Sequence, residues 1–172
     1  DSYQQSILFG SQRYPEAQKD LINLINDEVF IINYVGHGGE IGWGAERIFE
    51  VSDINNLSNN KLPVFVTATC EFTRYDDAER ISAGEYLILN PNGGAIAMIT
   101  TTRLVYGGIP NNIGFSMNFL EAALNEYNGQ MPTLGDAMRL TKVNSLLGTN
   151  YNNRKFALLG DPAIKMAYPK YD

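Results

Sequence analysis

The sequence has 172 residues, 44% of them apolar and 19% charged, a globular balance that suits one domain and excludes a disordered, collagen-like or coiled-coil chain. Thirteen Lys and Arg against 19 Asp and Glu give a net charge of −6 with no basic stripe, which argues against nucleic acid as a partner. One Cys and one His leave no internal disulfide and too few ligands for a Cys/His zinc site, and the apolar runs are too short to cross a membrane as helices.

Asp1 rather than Met opens the chain, so the sequence reads as a piece of something longer. Ser6–Gly10 is a weak strand or loop. Pro15 then starts a helical stretch to about Asn26, with Ala17, Leu21, Leu24 and Ile25 on one face. Val29–Val35 is a continuous apolar strand that stops at Gly36. Ser52 caps a short helix reaching about Leu57. Val64–Thr69 is a second buried strand. Glu79–Leu89 reads as a helix ended by Asn90-Pro91-Asn92-Gly93-Gly94, and Ala95–Thr102 as a third strand. Helices follow near Asn112–Tyr127 and Thr133–Leu147, the second with a capped start at Pro132, Thr133 and Asp136. Phe156–Leu159 is a last short strand, ended by Gly160-Asp161-Pro162.

Apolar strands separated by helices imply an α/β fold in three layers, a mostly parallel sheet with helices on both faces. In such sheets ligands bind beyond the carboxyl ends of the strands. The first apolar strand ends in Gly36-His37-Gly38-Gly39 and the second in Ala68-Thr69-Cys70-Glu71. The single His and the single Cys therefore fall at equivalent ends of consecutive strands. Taken singly, each has a bland reading: a buried Cys is usually inert, and a His before glycines is usually a turn residue. Together they suggest a dyad, because the attacking species is a thiolate and needs a base beside it. Glycines after His37 let backbone N–H groups approach a substrate carbonyl.

Rival cysteine chemistries fail on spacing. A phosphatase loop needs Arg where Asp76 stands, and a thioredoxin-like pair needs a second Cys where Thr73 stands. Other candidates remain double-sided. Trp43, in a Gly-rich loop, either walls a substrate pocket or plugs the loop from beneath. Thr100, Thr101, Thr102 and Arg103 either contact a peptide substrate or finish the third strand. Glu71, Asp76, Asp77 and Glu79 form an acidic segment that invites calcium, but Arg74 and Arg80 interrupt it and EF-hand spacing is missing, so it reads as a solvated loop.

The segments Asn33-Tyr34-Val35-Gly36-His37-Gly38-Gly39, Thr67-Ala68-Thr69-Cys70-Glu71-Phe72 and Leu159-Gly160-Asp161-Pro162 resemble the gingipain-type, caspase-like cysteine peptidases. They are most similar to the PorU branch, the sortases of the type IX secretion system. Ile81-Ser82-Ala83-Gly84-Glu85, Asn92-Gly93-Gly94-Ala95 and Thr102-Arg103 extend the likeness, which runs from about Tyr14 to Pro162. The resemblance implies a caspase-like catalytic domain, of which residues 1–172 would be the C-terminal portion, with two further strands upstream. It implies Cys70 as nucleophile, His37 as its acid–base partner, and the backbone N–H groups of Gly38 and Cys70 as oxyanion hole. Glu40, Trp43, Thr101, Thr102 and Arg103 are the residues expected around the substrate. No cofactor is implied, calcium being the one candidate. The implied partners are secreted cargo proteins with C-terminal signal domains, an outer-membrane barrel protein and an anionic lipopolysaccharide whose amine accepts the cargo. The implied location is the bacterial cell surface. A plain endopeptidase of the same fold, and a binding or assembly module with a vestigial dyad, are the alternatives.

Overall fold

The structure, a computed structural model, describes residues 14–109, 111–144 and 151–169. The Ser6–Gly10 expectation and the end of the Thr133–Leu147 helix lie outside the described residues. The elements in chain order are α1 (Pro15–Asn26), β1 (Ile31–Val35), β2 (Gly38–Gly39), β3 (Gly42–Trp43), β4 (Phe49–Glu50), α2 (Val51–Asn55), β5 (Val64–Ala68), α3 (Ala83–Ile88), β6 (Ala97–Thr101), α4 (Asn112–Leu124), α5 (Leu134–Asn144), a short 3-10 turn (Tyr151–Lys155) and β7 (Phe156–Leu159). Four strands form the main sheet in the order β1-β5-β6-β7. β1, β5 and β6 run parallel, with Ile31 opposite Val64 and Val35 opposite Ala68, and β7 closes the far side antiparallel to β6.

The central strands alternate between two cores. Val64, Val66 and Ala68 of β5 and Ala97 and Ile99 of β6 face Phe115 and Phe119 of α4 and Leu134 and Ala137 of α5. Phe65 and Met98 point the other way, toward Ile25 of α1, Ile54 of α2 and Leu87 of α3. Every residue of β5 and β6 is buried, as expected for strands covered on both faces. The expected three-layer α/β architecture is therefore observed. Phe115 stacks on Phe156 at 3.8 Å between ring centroids, pinning α4 over the antiparallel edge. Each such buried ring contributes roughly 1.5–3 kcal/mol relative to exposure.

Boundaries shift for identifiable reasons. α2 starts one residue before the expected cap, because Glu50 and Asp53 form a reciprocal capping box and Ser52 is already inside the helix. α3 starts later than Glu79, at Ala83, where Ser82 and Glu85 make the same box. Thr133 does cap α5: its hydroxyl accepts the Asp136 N–H at 3.1 Å and donates to the Asp136 carboxylate at 3.0 Å. The segment between β1 and α2 carries a second, three-stranded sheet of two-residue strands, β2-β3-β4, where the sequence shows only a Gly-rich loop.

Candidate active site

His37 and Cys70 hang from neighbouring parallel strands at the same sheet end. Val35 and Ala68 are register partners, and each candidate lies two residues beyond its partner. Neighbouring strands are about 4.8 Å apart, so the two residues leave the sheet at its same end. His37 is exposed and Cys70 is half-buried as a free thiol.

The local chemistry fixes both. After β5 the chain turns at once: Glu71 has φ +49°, in the left-handed region. The turned segment is sewn to β6 by the Glu71 N–H to Arg103 O at 3.3 Å and the Thr73 N–H to Thr101 O at 3.0 Å. Buried hydroxyls continue the seam, with Thr67 and Thr73 both bonded to Thr100, at 2.8 and 2.9 Å. Asn112, at the start of α4, donates to Ala68 O at 3.0 Å and so holds the end of β5 from the other side.

The base loop is held from beneath. Tyr34 donates its hydroxyl to the His37 carbonyl at 2.6 Å, and the Gly44 N–H reaches the same oxygen at 2.8 Å. The Tyr34 ring lies flat on Trp43, 4.3 Å between centroids and 2° from parallel. Desolvation, with Glu46 nearby, pushes the Tyr34 pKa up to about 12, so the phenol stays a donor throughout the neutral range. Gly38 must be glycine for lack of room: a Cβ there would sit 2.5 Å from Thr69 Oγ1 and 2.9 Å from Gly42 O.

Beside His37 lies an open groove of about 230 Å³. Val35, Gly36 and His37 form one wall, and Val105, Gly107, Gly108 and the first turn of α4 form the other. Val105 connects the groove to the second candidate, because the Cys70 thiol donates to the Val105 carbonyl at 3.6 Å.

Several residues expected around the substrate are engaged within the chain. Trp43 is 2% exposed and packs on Tyr34, Phe49, Phe65 and Phe72, so it plugs the loop and walls nothing. Thr101 is fully buried, and its hydroxyl donates to Thr69 O. Thr102 bonds through both its N–H and its hydroxyl to Lys155 O, at 2.9 and 3.3 Å, which finishes the strand. Arg103 forms a two-pronged pair with Asp76, at 2.8 and 2.5 Å, which holds the Asp76 carboxyl below the usual carboxylate range. The Glu40 carboxylate is engaged by Arg74 at 2.9 Å and Arg80 at 3.5 Å. Arg74 also meets Glu71 and Asp77, each at 3.7 Å, so arginines tie the acidic segment together. Among the described residues no group of three or more His, Cys, Asp or Glu is placed to hold a metal. Tyr34, Asn112 and Val105 escaped the sequence reading. The one visible signal was an aromatic residue three positions before the His.

A three-layer α/β sheet of this topology is the caspase-like catalytic fold, and solved structures match it. The complex of Porphyromonas gingivalis RgpB pro- and mature domains superposes with a TM-score of 0.74 at 19% identity over 87% of this chain. The crystal structure of the Arg-specific cysteine proteinase gingipain R gives 0.71, also at 19% identity over 87%. A structure described only as a protease gives 0.64 at 19% identity over 84%. The chain spans 37%, 36% and 37% of those three chains, respectively. No curated protein matches the sequence. The model of Peptidase family C25 matches residues 1–167, and the chain belongs to that family.

Proposed function

We propose that Cys70 and His37 form the working dyad of a cysteine peptidase. The observation that supports the reading is the β1–β5 register, which ends both strands at one side of the sheet just before the one His and the one Cys, with His37 lining an open groove. The Cys70 thiolate attacks the scissile carbonyl, and the oxyanion is met by the backbone N–H groups of Gly38 and Cys70. His37 gives its proton to the leaving amine, the C–N bond breaks, and a thioester remains on Cys70. An acceptor then attacks the thioester, His37 takes the acceptor's proton, the C–S bond breaks, and the Cys70 thiolate is released beside a protonated His37. No electron is transferred and no cofactor is called on.

The acceptor decides the role. We read the whole protein as a sortase of the PorU type, removing C-terminal secretion signals from type IX cargo and passing the acyl group to an amine of anionic lipopolysaccharide. The support is the sequence likeness of the His37, Cys70 and Leu159–Pro162 segments to that branch. This reading places the protein at the outer surface of the bacterial outer membrane, with a barrel protein as partner. Aminolysis outruns hydrolysis only where the amine is held close to the thioester.

Two measurements test the reading. Iodoacetamide should alkylate Cys70 faster than a free peptide thiol, and His37→Ala should abolish the excess. Equal rates would sink the dyad. A signal-bearing substrate incubated with an added amine should give an amide. An exclusively acid product assigns the protein as an endopeptidase.

A further inference from the structure

We infer that Asn152 is a positioning residue, which sets the groove wall opposite His37 by gripping the backbone of Tyr106. The inference rests on the dyad reading, because the same wall touches the proposed nucleophile. Val105, Gly107 and Gly108 line the groove, and the Val105 carbonyl accepts the Cys70 thiol hydrogen bond at 3.6 Å. Tyr106 lies in the middle of that wall. The Asn152 side-chain oxygen accepts the Tyr106 N–H at 3.0 Å, and its amide donates to Tyr106 O at 2.8 Å. A carboxamide carries a donor and an acceptor side by side, so it stands in here for the edge of a neighbouring strand.

Packing does little to hold this wall. Val105 packs partly on the core, but Leu104, Tyr106 and Ile109 are exposed, and Gly107 and Gly108 bring no side chain. Hydrogen bonds must set its place, and most come from the Tyr151–Lys155 turn. They reach every second residue, as a paired strand would. Lys155 O accepts the Thr102 N–H at 2.9 Å, Lys155 Nζ donates to Leu104 O at 2.7 Å, and Asn152 holds Tyr106. Lys155 Nζ also lies 5.0 Å from the centre of the Tyr106 ring. At the far end Asn111 donates to Gly107 O at 2.8 Å. Asn152 is fully buried, so water does not compete for its two bonds, and two bonds to one residue fix direction as well as distance. Its neighbour Asn153 serves another purpose, donating to Lys142 O of α5 at 3.1 Å. The turn thus ties the groove wall to the body of the domain, and Asn152 is the part that reaches the middle of the wall.

Asn153 supplies a matched control. Asn152→Asp and Asn153→Asp keep the side-chain size, and each deletes one hydrogen bond to a backbone carbonyl, Tyr106 O in the first and Lys142 O in the second. In the full-length protein, Cys70 is labelled by two kinds of reagent. Iodoacetamide is small and has no need of the groove. Tripeptidyl chloromethyl ketones must lie along it; a panel with a small, aromatic, acidic or basic residue next to the ketone is screened on the parent protein, and the fastest is carried through. Asn152→Asp should slow the peptidyl probe at least about tenfold and iodoacetamide less than about threefold, because a displacement near 1 Å costs up to about 100-fold in an oriented reaction. Asn153→Asp should leave the ratio of the two rates at the parent value. Lys155→Met keeps the aliphatic stem, loses the bond to Leu104 O, and should lower the same ratio about threefold. Equal slowing of both reagents by Asn152→Asp would show a merely structural residue and overturn the inference. An unmoved peptidyl rate, or an equal drop in the ratio from Asn153→Asp, would overturn it too. If Asn152→Asp fails to fold, Lys155→Met decides, and a parental ratio there overturns the inference. Those results leave the dyad standing. Iodoacetamide labelling of the parent no faster than that of a free peptide thiol would overturn the dyad itself. A panel no faster on the parent than on the urea-unfolded chain would remove the groove as the substrate channel, and the inference with it.

Discussion

Replacing Trp43 by Ala separates a structural plug from a substrate wall. The indole is 2% exposed and sits among four aromatic rings, the nearest being Tyr34 at 4.3 Å and Phe49 at 4.9 Å. Truncating a buried ring of this size costs about 3–5 kcal/mol, the Tyr34 stack included. Part of that is returned. Trp43 Nε1 is buried without a hydrogen-bond partner, an arrangement that itself costs about 1–3 kcal/mol and disappears with the ring. The expected net loss is about 2 kcal/mol, a sizeable share of the roughly 5–15 kcal/mol a domain possesses. Trp43→Phe keeps a ring against Tyr34 and drops the orphaned N–H, so it should fall within about 1 kcal/mol of the parent protein. Urea denaturation read by far-ultraviolet circular dichroism measures both, because the only Trp of the sequence is the residue removed. Unchanged urea midpoints for Trp43→Ala together with lost peptidase activity would refute the reasoning and return Trp43 to the substrate.

Gly38→Ala should cut peptidase activity at least about tenfold, since the new Cβ displaces either Thr69 or the Gly42 carbonyl beneath the proposed oxyanion donor. Steady-state kinetics with an unchanged circular dichroism spectrum checks it. Tyr34 makes stability fall at high pH. Its neutral form is favoured in the folded state, so the contribution is whole below the ordinary tyrosine pKa of 10.0 and is lost as pH rises toward about 12. Urea midpoints across that window should drop in the parent protein and drop less in Tyr34→Phe.

The strands most easily read from sequence are those buried on both faces. Val64–Ala68 and Ala97–Thr101 are apolar apart from threonines, because both cores press on them and the buried Thr67, Thr100 and Thr101 hydroxyls are hydrogen-bonded. The same property misled the reading of Thr101. A hydroxyl at a strand end suggests a solvent-facing contact, yet this one is buried against Thr69 O. His37 and Cys70 were legible because the strand-end rule needs only the order of elements, not their packing. What held them was not legible. The Tyr34–Trp43 stack depends on β2, β3 and β4, whose two-residue strands are too short for any period to emerge. The role of Arg74 as a hub for Glu40, Glu71 and Asp77 joins residues up to 34 positions apart, which no local pattern records.

The two candidate residues are mounted with unequal stiffness. Cys70 follows β5, which is clamped on both sides by neighbouring strands, whereas His37 follows β1, the border strand of the described sheet, and depends on an aromatic peg for its height. Border strands fray before interior ones. Gentle heating or mild denaturant should therefore loosen the His37 segment before the Cys70 segment. Under the dyad proposed above, the site would be lost while the sheet beneath it still stands.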